Sequence, residues 1–574
     1  MSEVKRRRHL AVLLAISLTG MALPAAEPSL THLFPPAGRQ GVTVPVKASG
    51  KFEPRPAQVW VDAPGIVFKP GKSAGQFDVE IAKDAAPGPH LVRAFNNLGA
   101  SAPRFFIVAR ESQTTEAEPN DEFRSAQKIA GLPATVVGRL DKSGDVDSYA
   151  VNLKRGQTLV GRLEAYVLAS AFDGMLRIVD GQGSVEAFNH DDRSLDPFLV
   201  WKAPRDGTFV VQVMGFVYPA TADVRFTGGD GCVYRLHMTA GPFVRHTMPL
   251  AAQRGIKAQV ALVGWNLAVP HVEIDGTKFP AGASTAELEL AGVESGLPLI
   301  VSDMPEGIEK EPNDPVTAAQ SVEVPAGITG RIDRANDEDH FVFNAVKGRA
   351  YEFRVTAARI GSMLDGWLKI RNKDGKELAR NDDANGFRDP ELTWTAPADG
   401  SYSVVIGDVS HHGGDGFTYR LAISEAVPAV NGTVTAHAFA VQPGKTAEAK
   451  VAVKRTNGFK GKLQLAARNL PEGVSAPPVD VPEKDGDVAL KLTADAAAKP
   501  ASQPLMLVLR ETESGAEHPV RYSLVATSED NGVPQGYTEL VIPFTDQLWL
   551  TIPPVPAKPE PKAGEKAAAT PEKK

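Results

Sequence analysis

Two stretches of the chain concentrate oxygen-bearing side chains at short, regular spacing. Glu116-Ala117-Glu118-Pro119-Asn120-Asp121 precedes Asp145-Val146-Asp147, and Glu309-Lys310-Glu311-Pro312-Asn313-Asp314 precedes Asp337-Glu338-Asp339. Such residues suit a hard divalent cation: calcium takes about six to eight oxygens, mostly carboxylates and carbonyls, in a loosely defined geometry. In an extended segment residues i, i+2 and i+4 share a face. Glu116, Glu118 and Asn120 are therefore expected to point one way, as are Glu309, Glu311 and Asn313. Pro119 and Pro312 stiffen the segment and lower the entropy lost on ligation. Asp145 with Asp147, and Asp337 with Asp339, are again i and i+2, just before apolar runs at Tyr149–Val151 and Phe341–Phe343. Where the two stretches are neighbours in the fold, five or six oxygens converge, and so many carboxylates repel unless a cation neutralises them. The blander reading is a solvated acidic loop. Against it stands the recurrence of the whole arrangement, in the same order, among residues that differ.

The clusters belong to a longer duplication. Gly138-Arg139-Leu140-Asp141 recurs as Gly330-Arg331-Ile332-Asp333, Asp173-Gly174-Met175-Leu176 as Asp365-Gly366-Trp367-Leu368, and Trp201-Lys202-Ala203-Pro204 as Trp394-Thr395-Ala396-Pro397. The offset is 192 or 193 until Gly228-Gly229-Asp230-Gly231, which matches Gly413-Gly414-Asp415-Gly416 at 185, so one loop is eight residues shorter in the second copy. A second repeat stands in front of each copy: Arg39-Gln40-Gly41-Val42 leading to Gly50, and Gln253-Arg254-Gly255-Ile256 leading to Gly264, both glycine pairs 214 apart. Around these run short alternations such as Val42, Val44, Val46 and Val260, Leu262, which mark half-buried strands punctuated by Gly and Pro. A third kind of β unit follows Ala426, with strands expected at Ala447–Val453, Lys462–Ala466, Val488–Leu492, Leu505–Leu509, Tyr522–Val525 and Leu548–Ile552.

The Glu-x-Glu-Pro-Asn-Asp opening, the Asp-x-Asp-x-aromatic strand start, the Asp-Gly-x-Leu strand and the Ala-Pro-x-Asp-Gly turn resemble the bacterial pre-peptidase C-terminal domain, related to the collagen-binding domain of clostridial collagenases. The resemblance covers about 116–240 and 309–425. It implies a jelly-roll-like β-sandwich whose N-terminal acidic segment binds calcium. By position the implied ligands are Glu116, Glu118, Asn120, Asp121, Asp145 and Asp147, then Glu309, Glu311, Asn313, Asp314, Asp337 and Asp339, one site per repeat. The alternation with Ig-like modules also resembles exported proteins of planctomycete-type bacteria. The expected order is a signal peptide at 1–26, an Ig-like sandwich at 27–112, the first repeat at 113–240, a second Ig-like domain at 241–306, the second repeat at 307–426, a C-terminal Ig-like domain at 427–554 and a disordered tail at 555–574. The fold class is all-β, a tandem of β-sandwiches.

At 574 residues the chain is too long for one core. Lys5–His9, the apolar run Leu10–Leu23 and Pro24-Ala25-Ala26 have the three parts of a secretory signal, with an uncleaved anchor as the alternative. Removing Glu3 and the four bases Lys5 to Arg8 takes the formal net charge from −7 to −10. An acidic mature chain without a basic block is a poor partner for a phosphate backbone, so no nucleic acid is expected. The one cysteine, Cys232, has no partner for an internal disulfide and reads as a packed thiol.

Other signals fail. Gly65–Ser73 has five residues between its glycines where a phosphate loop needs four, and it lies among strands. His411-His412 sits before a Gly-Gly loop and its first-copy counterpart lacks histidine. Asp191-Asp192 and Asp382-Asp383 suit turns better than a second cation site. Trp201, Trp394 and Trp367 read as packing residues rather than sugar platforms; nothing selects Trp60 or Trp265. No nucleophile, base and oxyanion set is visible. The expectation is a non-enzymatic exported calcium-binding protein, periplasmic, cell-surface or secreted, with no membrane span in its mature chain. Its partner would be an extracellular polymer, protein or polysaccharide, or an exported protein. The alternatives are an accessory subunit of a secreted hydrolase and a cryptic hydrolase.

Overall fold

In the strand Gln76–Ile81, Phe77, Val79 and Ile81 are buried while Gln76, Asp78 and Glu80 are exposed, the period-two pattern of a sheet with one face on a core. The computed structural model describes residues 26–53, 57–290, 293, 297–384, 387–526, 529–530 and 533–555. The expected signal peptide, Ala26 excepted, and the expected tail beyond Val555 lie outside the described residues. Within them the protein is all-β, its only helical pieces being 3-10 turns of three residues.

A four-stranded and a five-stranded sheet open the chain, the fifth strand of the latter being the short pair Gly99–Ala100 beside 88–96. One runs in the order 29–34, 43–51, 76–81, 66–70 and the other 37–39, 104–109, 88–96, 58–61. They share a core in which Leu30, Val46 and Val79 meet Val92, Ala94 and Phe106. After the first repeat a smaller pair of three-stranded sheets follows, 243–248, 257–265, 271–275 and 251–253, 297–302, 285–288. The matching glycines of the front repeat have a shared cause. Gly50 pairs with Leu30 and Gly264 with Val244, each at a bulge of the leading strand. A Cβ at either position would lie 2.0 Å from a backbone oxygen, of Ser29 or Phe243.

The duplicated segments fold alike. In the first, one five-stranded sheet has the order 113–115, 134–139, 233–239, 158–164, 198–202, and the other 127–128, 147–153, 207–217, 172–179, 185–189. In the second the orders are 306–308, 326–331, 418–425, 350–356, 391–395 and 320–321, 338–345, 400–408, 366–372, 377–381. Strand for strand these are the same topology. Each pair of sheets closes on a core rich in aromatic and branched residues, with Tyr149, Phe172, Phe209 and Tyr234 in one and Phe341, Phe343, Phe353 and Tyr419 in the other.

The last part of the chain forms an 11-stranded network around a Leu- and Val-rich core. Its final segment turns back to the beginning of the molecule. Arg93, fully buried, donates to the carbonyl of Gln547 at 2.8 Å and lies 3.0 Å from His437 Nδ1, while Trp549 packs edge-on to Trp60. Tyr537 stacks among Tyr166 and Tyr218 of the first repeat and donates its hydroxyl to the Ser170 carbonyl at 2.7 Å. Arg388 of the second repeat pairs with Glu539 at 2.8 Å.

Candidate metal centres

The extended run that was expected to carry Glu116, Glu118 and Asn120 on one face stops at Thr115. Beyond it the Asn120 N–H folds back onto Glu118 Oε2 at 2.9 Å, a local side chain–backbone turn that competes with strand alternation. Asn120 is thereby buried and Glu118 left exposed. The second copy repeats the turn, with Asn313 N–H on Glu311 Oε2 at 2.9 Å.

Each cluster sits where the two sheets of its sandwich meet. Glu116 follows the edge strand of one sheet, and its carboxylate accepts the Arg139 N–H at 2.5 Å. Asp147 begins a strand of the other sheet. Tyr234, from the middle of the first sheet, donates its hydroxyl to Asp147 Oδ2 and so ties the two sheets at the cluster. Asp145 lies in the turn before its strand and accepts the Asp141 N–H. Lys142 Nζ approaches Asp121 at 2.8 Å and Asp145 at 3.6 Å from the solvent side. In the second copy the corresponding partners are Glu309 with Arg331 N–H at 2.6 Å, Tyr419 with Asp339 at 2.6 Å, Asp333 N–H with Asp337 at 2.6 Å, and Arg334 with Asp314.

Four groups of carboxylates result: Glu116, Glu118, Asp147; Glu118, Asp121, Asp145; Glu309, Glu311, Asp339; and Glu311, Asp314, Asp337. Within each, one oxygen per residue lies within 4.8 Å of the others. Two oxygens bound to one calcium at 2.3–2.6 Å can be at most about 5 Å apart, so the spacing fits. Glu118 and Glu311 each belong to both groups of their repeat. Most telling are the atoms left over. Asp121, Asp145 and Asp147 each keep a buried Oδ1 without a hydrogen-bond partner among the described residues, and both amide atoms of buried Asn120 are likewise unpartnered. The same five atoms recur in Asp314, Asp337, Asp339 and Asn313. Buried polar groups are nearly always paired, and an unpaired one costs about 1–3 kcal/mol.

The electrostatics agree. Burial, then the charge of Glu116, pushes the Asp147 carboxyl up to about 10, and burial with Glu309 does the same for Asp339. Burial raises Glu116 and Glu309 to about 7 and Asp337 to about 6; Asp145 is also raised, by burial first. Asp121 is held below the usual carboxylate range by Lys142. Without a cation these acids resist ionisation together, which is the field a divalent ion would reverse.

Ten of the twelve sequence-predicted residues, the carboxylates, therefore lie in these groups, and the other two, Asn120 and Asn313, are buried with unpartnered amides. Sequence reasoning missed the supports. Gly138 is one: a Cβ there would lie 2.3 Å from Tyr234 Oη and 2.4 Å from Glu116 Oε2, and one at Gly330 would lie 2.4 Å from both Glu309 Oε2 and Tyr419 Oη. Gln127 and Gln320 are others, accepting the N–H of Ala117 at 2.8 Å and of Lys310 at 2.7 Å. Two buried aspartates were also missed. Asp196 accepts the N–H groups of Ala165, Tyr166 and Val167, and Asp389 those of Ala357, Ala358 and Arg359. The repeated Asp196-Pro197 and Asp389-Pro390 were their signal.

The remaining candidates have structural roles. Asn189 Nδ2 reaches the Asp191 carbonyl at 3.4 Å and Asn381 Nδ2 the Asp383 carbonyl at 2.9 Å, so the two acidic pairs sit in matching turns. Asp192 also pairs with Arg245 at 3.1 Å. His411 and His412 are exposed, and Gly65–Ser73 spans the strand Ile66–Pro70. Trp201 and Trp394 pack on their cores, each 4.7 Å from an aromatic ring, Phe209 or Tyr402. Cys232 is buried, and burial pushes its thiol up to about 11, which leaves it unreactive.

No family model matches the chain. Over 99 residues, 17% of this chain and 14% of the relative, it is 37% identical to a Deinococcus radiodurans protein named "Probable subtilase-type serine protease". The chain thus spans 14% of the length of that relative. Among solved structures it is similar to the pre-peptidase C-terminal domain of a Bacillus anthracis collagenase, at 16% identity, 20% of this chain, 100% of that chain and a TM-score of 0.16. It is also similar to a periplasmic inhibitor of g-type lysozyme from Aeromonas hydrophila, at 17% identity, 21% and 99% coverage and a TM-score of 0.15. A third likeness is to the M60 catalytic domain with its CBM51 domains from Clostridium perfringens, at 10% identity, 71% and 55% coverage and a TM-score of 0.14. Among the described residues no helix is long and apolar enough to cross a membrane.

Proposed function

We propose that the protein is a non-enzymatic, exported, modular binding protein whose two repeats are held in shape by calcium. Its units would be those at 27–112, 113–240, 241–306, 307–426 and 427–554, and its partner an extracellular polymer or an exported protein. The observation that carries the calcium reading is the matched set of five buried, unpartnered side-chain atoms in each cluster. Glu116, Glu118, Asn120, Asp121, Asp145 and Asp147 would hold the ion in one repeat, and Glu309, Glu311, Asn313, Asp314, Asp337 and Asp339 in the other. Calcium bound there would neutralise carboxylates contributed by both sheets, and so brace the end of each sandwich. Retention of the mature protein on collagen, chitin, cellulose and cell-wall fractions, in calcium and in EDTA, tests the binding role. Calcium-dependent retention on at least one supports it; none on any sinks direct polymer binding.

A second reading, an accessory subunit that targets a secreted hydrolase, is favoured by the 37% identity to a stretch of a protein named as a serine protease. Affinity capture from the native secretome that returns a hydrolase in stoichiometric amount would support this reading over adhesion. A cryptic hydrolase is the third, and turnover on peptide, ester or glycoside substrates, abolished by one carboxylate substitution, would establish it.

A further inference from the structure

The first and last units of the chain close on each other through a contact whose charges do not balance. Arg93, in the strand Gly88–Asn96, is fully buried, yet it bonds only to groups without negative charge. Nη1 donates to the Ser101 carbonyl at 3.3 Å and to His437 Nδ1 at 3.0 Å, and Nη2 to the Gln547 carbonyl at 2.8 Å. Two of these three partners belong to the C-terminal unit. Beside them Trp549 packs on Trp60 and Phe95 of the first unit, with ring centres 5.9 and 5.0 Å apart.

The bond from Arg93 fixes the state of the imidazole. A guanidinium carries donors only, so Nδ1 must offer its lone pair, and the ring is neutral with its proton on Nε2. The surrounding groups give a second proton no support. From the first unit they are Arg93 and Arg104, both cationic. From the last they are Tyr522, whose ring stands edge-on at 5.6 Å, and the Trp549 N–H, which donates to the His437 carbonyl at 3.0 Å. No carboxylate bonds to His437 or Arg93 among the described residues, and Asp546, beside Gln547 in the chain, takes the Gln547 side-chain amide at 3.3 Å. Burial, then Arg93 and Arg104, hold the His437 ring down to about 4 from an ordinary 6.5. Its protonation would set a second positive charge 3.0 Å from a buried guanidinium and break a bond that joins the two units.

We propose that His437 and Arg93 form a pH-sensitive latch: the first and last units stay closed while His437 is neutral, and acidification parts them. A histidine that titrates lower in the closed state stabilises closure above 6.5, and that stability is lost as pH falls toward 4. His90, on the same strand as Arg93, is raised against its burial by the bond to Asp62, but both partners lie in the first unit and their bond does not cross the contact. The parted units would uncover Trp60, Phe95 and Trp549 while remaining tethered through the repeats between them.

Leu91→Cys places a thiol on the face of the first unit that the C-terminal segment covers, where Leu91 packs with Val525 and Leu540. Its labelling by a pyridyl disulfide in saturating calcium, relative to the denatured protein at the same pH, gives the opening constant, with the parent as the blank for buried Cys232. Going from pH 7.5 to pH 5 should raise that constant about thirtyfold. The same protein carrying His437→Gln, which keeps an acceptor for Arg93 but takes no charge, should change by less than about threefold. His32, His237 and His246 are also held low, and their titration persists in the variant, so the comparison isolates His437. Melting curves report folding, and His437→Asn takes the place of His437→Gln if the latter does not fold. No rise in the protein that retains His437 overturns the proposal, and so does an equal rise in the variant.

Discussion

The two acid clusters occupy sandwiches of one topology but of different interior chemistry. In the first repeat Tyr149 stands beneath the cluster, its hydroxyl 2.5 Å from that of Tyr234, which in turn donates to Asp147. In the second repeat Phe341 takes that place, and Tyr419 alone holds Asp339 while reaching Glu309 at 3.2 Å. Around Trp201 the first core has Phe209; around Trp394 the second gathers Phe343, Tyr351 and Tyr402. The outer sheet face has also diverged, with exposed Phe188 where the second copy has Arg380. Through all of this the twelve oxygen- and amide-bearing residues, their orphaned atoms and their tyrosine tether persist. A core tolerates exchange of apolar groups when volume is kept, whereas a cluster of buried carboxylates tolerates little. The difference teaches that what was held fixed between the copies is the cation-like field, not the packing beneath it.

If that is right, supports shared by both copies should cost the same in each. The largest loss is expected for Asp196→Ala and Asp389→Ala, each of which strands three backbone N–H groups. Both should destabilise by about 3 kcal/mol in denaturant melts, and a large cost in one repeat only would show that the copies have diverged structurally. Gly138→Ala and Gly330→Ala come next. Overpacking against Tyr234 or Tyr419 should cost about 1–3 kcal/mol and abolish the calcium response of that repeat alone, read by titration calorimetry.

The pH dependence should be smaller and common to both. In EDTA, Glu116 and Glu309 titrate near 7 in the folded protein, well above an ordinary glutamate. Between the unfolded and folded values the native state holds more protons, so stability present at low pH is lost as pH rises through about 7. The melting temperature in EDTA should therefore fall from pH 5 to pH 8, and a rise over that range would contradict the burial of these groups. The least effect is expected from Tyr149→Phe, which makes the first cluster resemble the second. It should cost about 1 kcal/mol and leave calcium affinity nearly unchanged.

Much of the site was legible because duplication prints it twice: Glu-x-Glu-Pro-Asn-Asp and Asp-x-Asp recur with their spacing intact. Alternation likewise marked strands such as Gln76–Ile81. What was not legible depends on tertiary contact. The turn of Asn120 onto Glu118 overrides strand periodicity, and nothing in the run itself announces it. Asp196 and Asp389 are single acids whose meaning comes from a turn 30 residues earlier in the chain. Ala429–Val434, a strand between Thr446–Thr456 and Glu517–Ser523, reads Ala-Val-Asn-Gly-Thr-Val and is too short and too polar to stand out. The return of Tyr537 to Tyr166 and Tyr218 pairs residues more than 300 positions apart, and no local pattern encodes it.

Whether both clusters hold calcium is decided by thermal unfolding of the mature protein in calcium and in EDTA, beside the double variant Asp145→Ala with Asp337→Ala. Calcium should raise the melting temperature in a concentration-dependent way, by about 2.7 kcal/mol of stability per site at a hundred times Kd, and the double variant should lose that rise. An equal melting temperature in calcium and EDTA for the parent protein would mean the clusters are acidic loops without an ion.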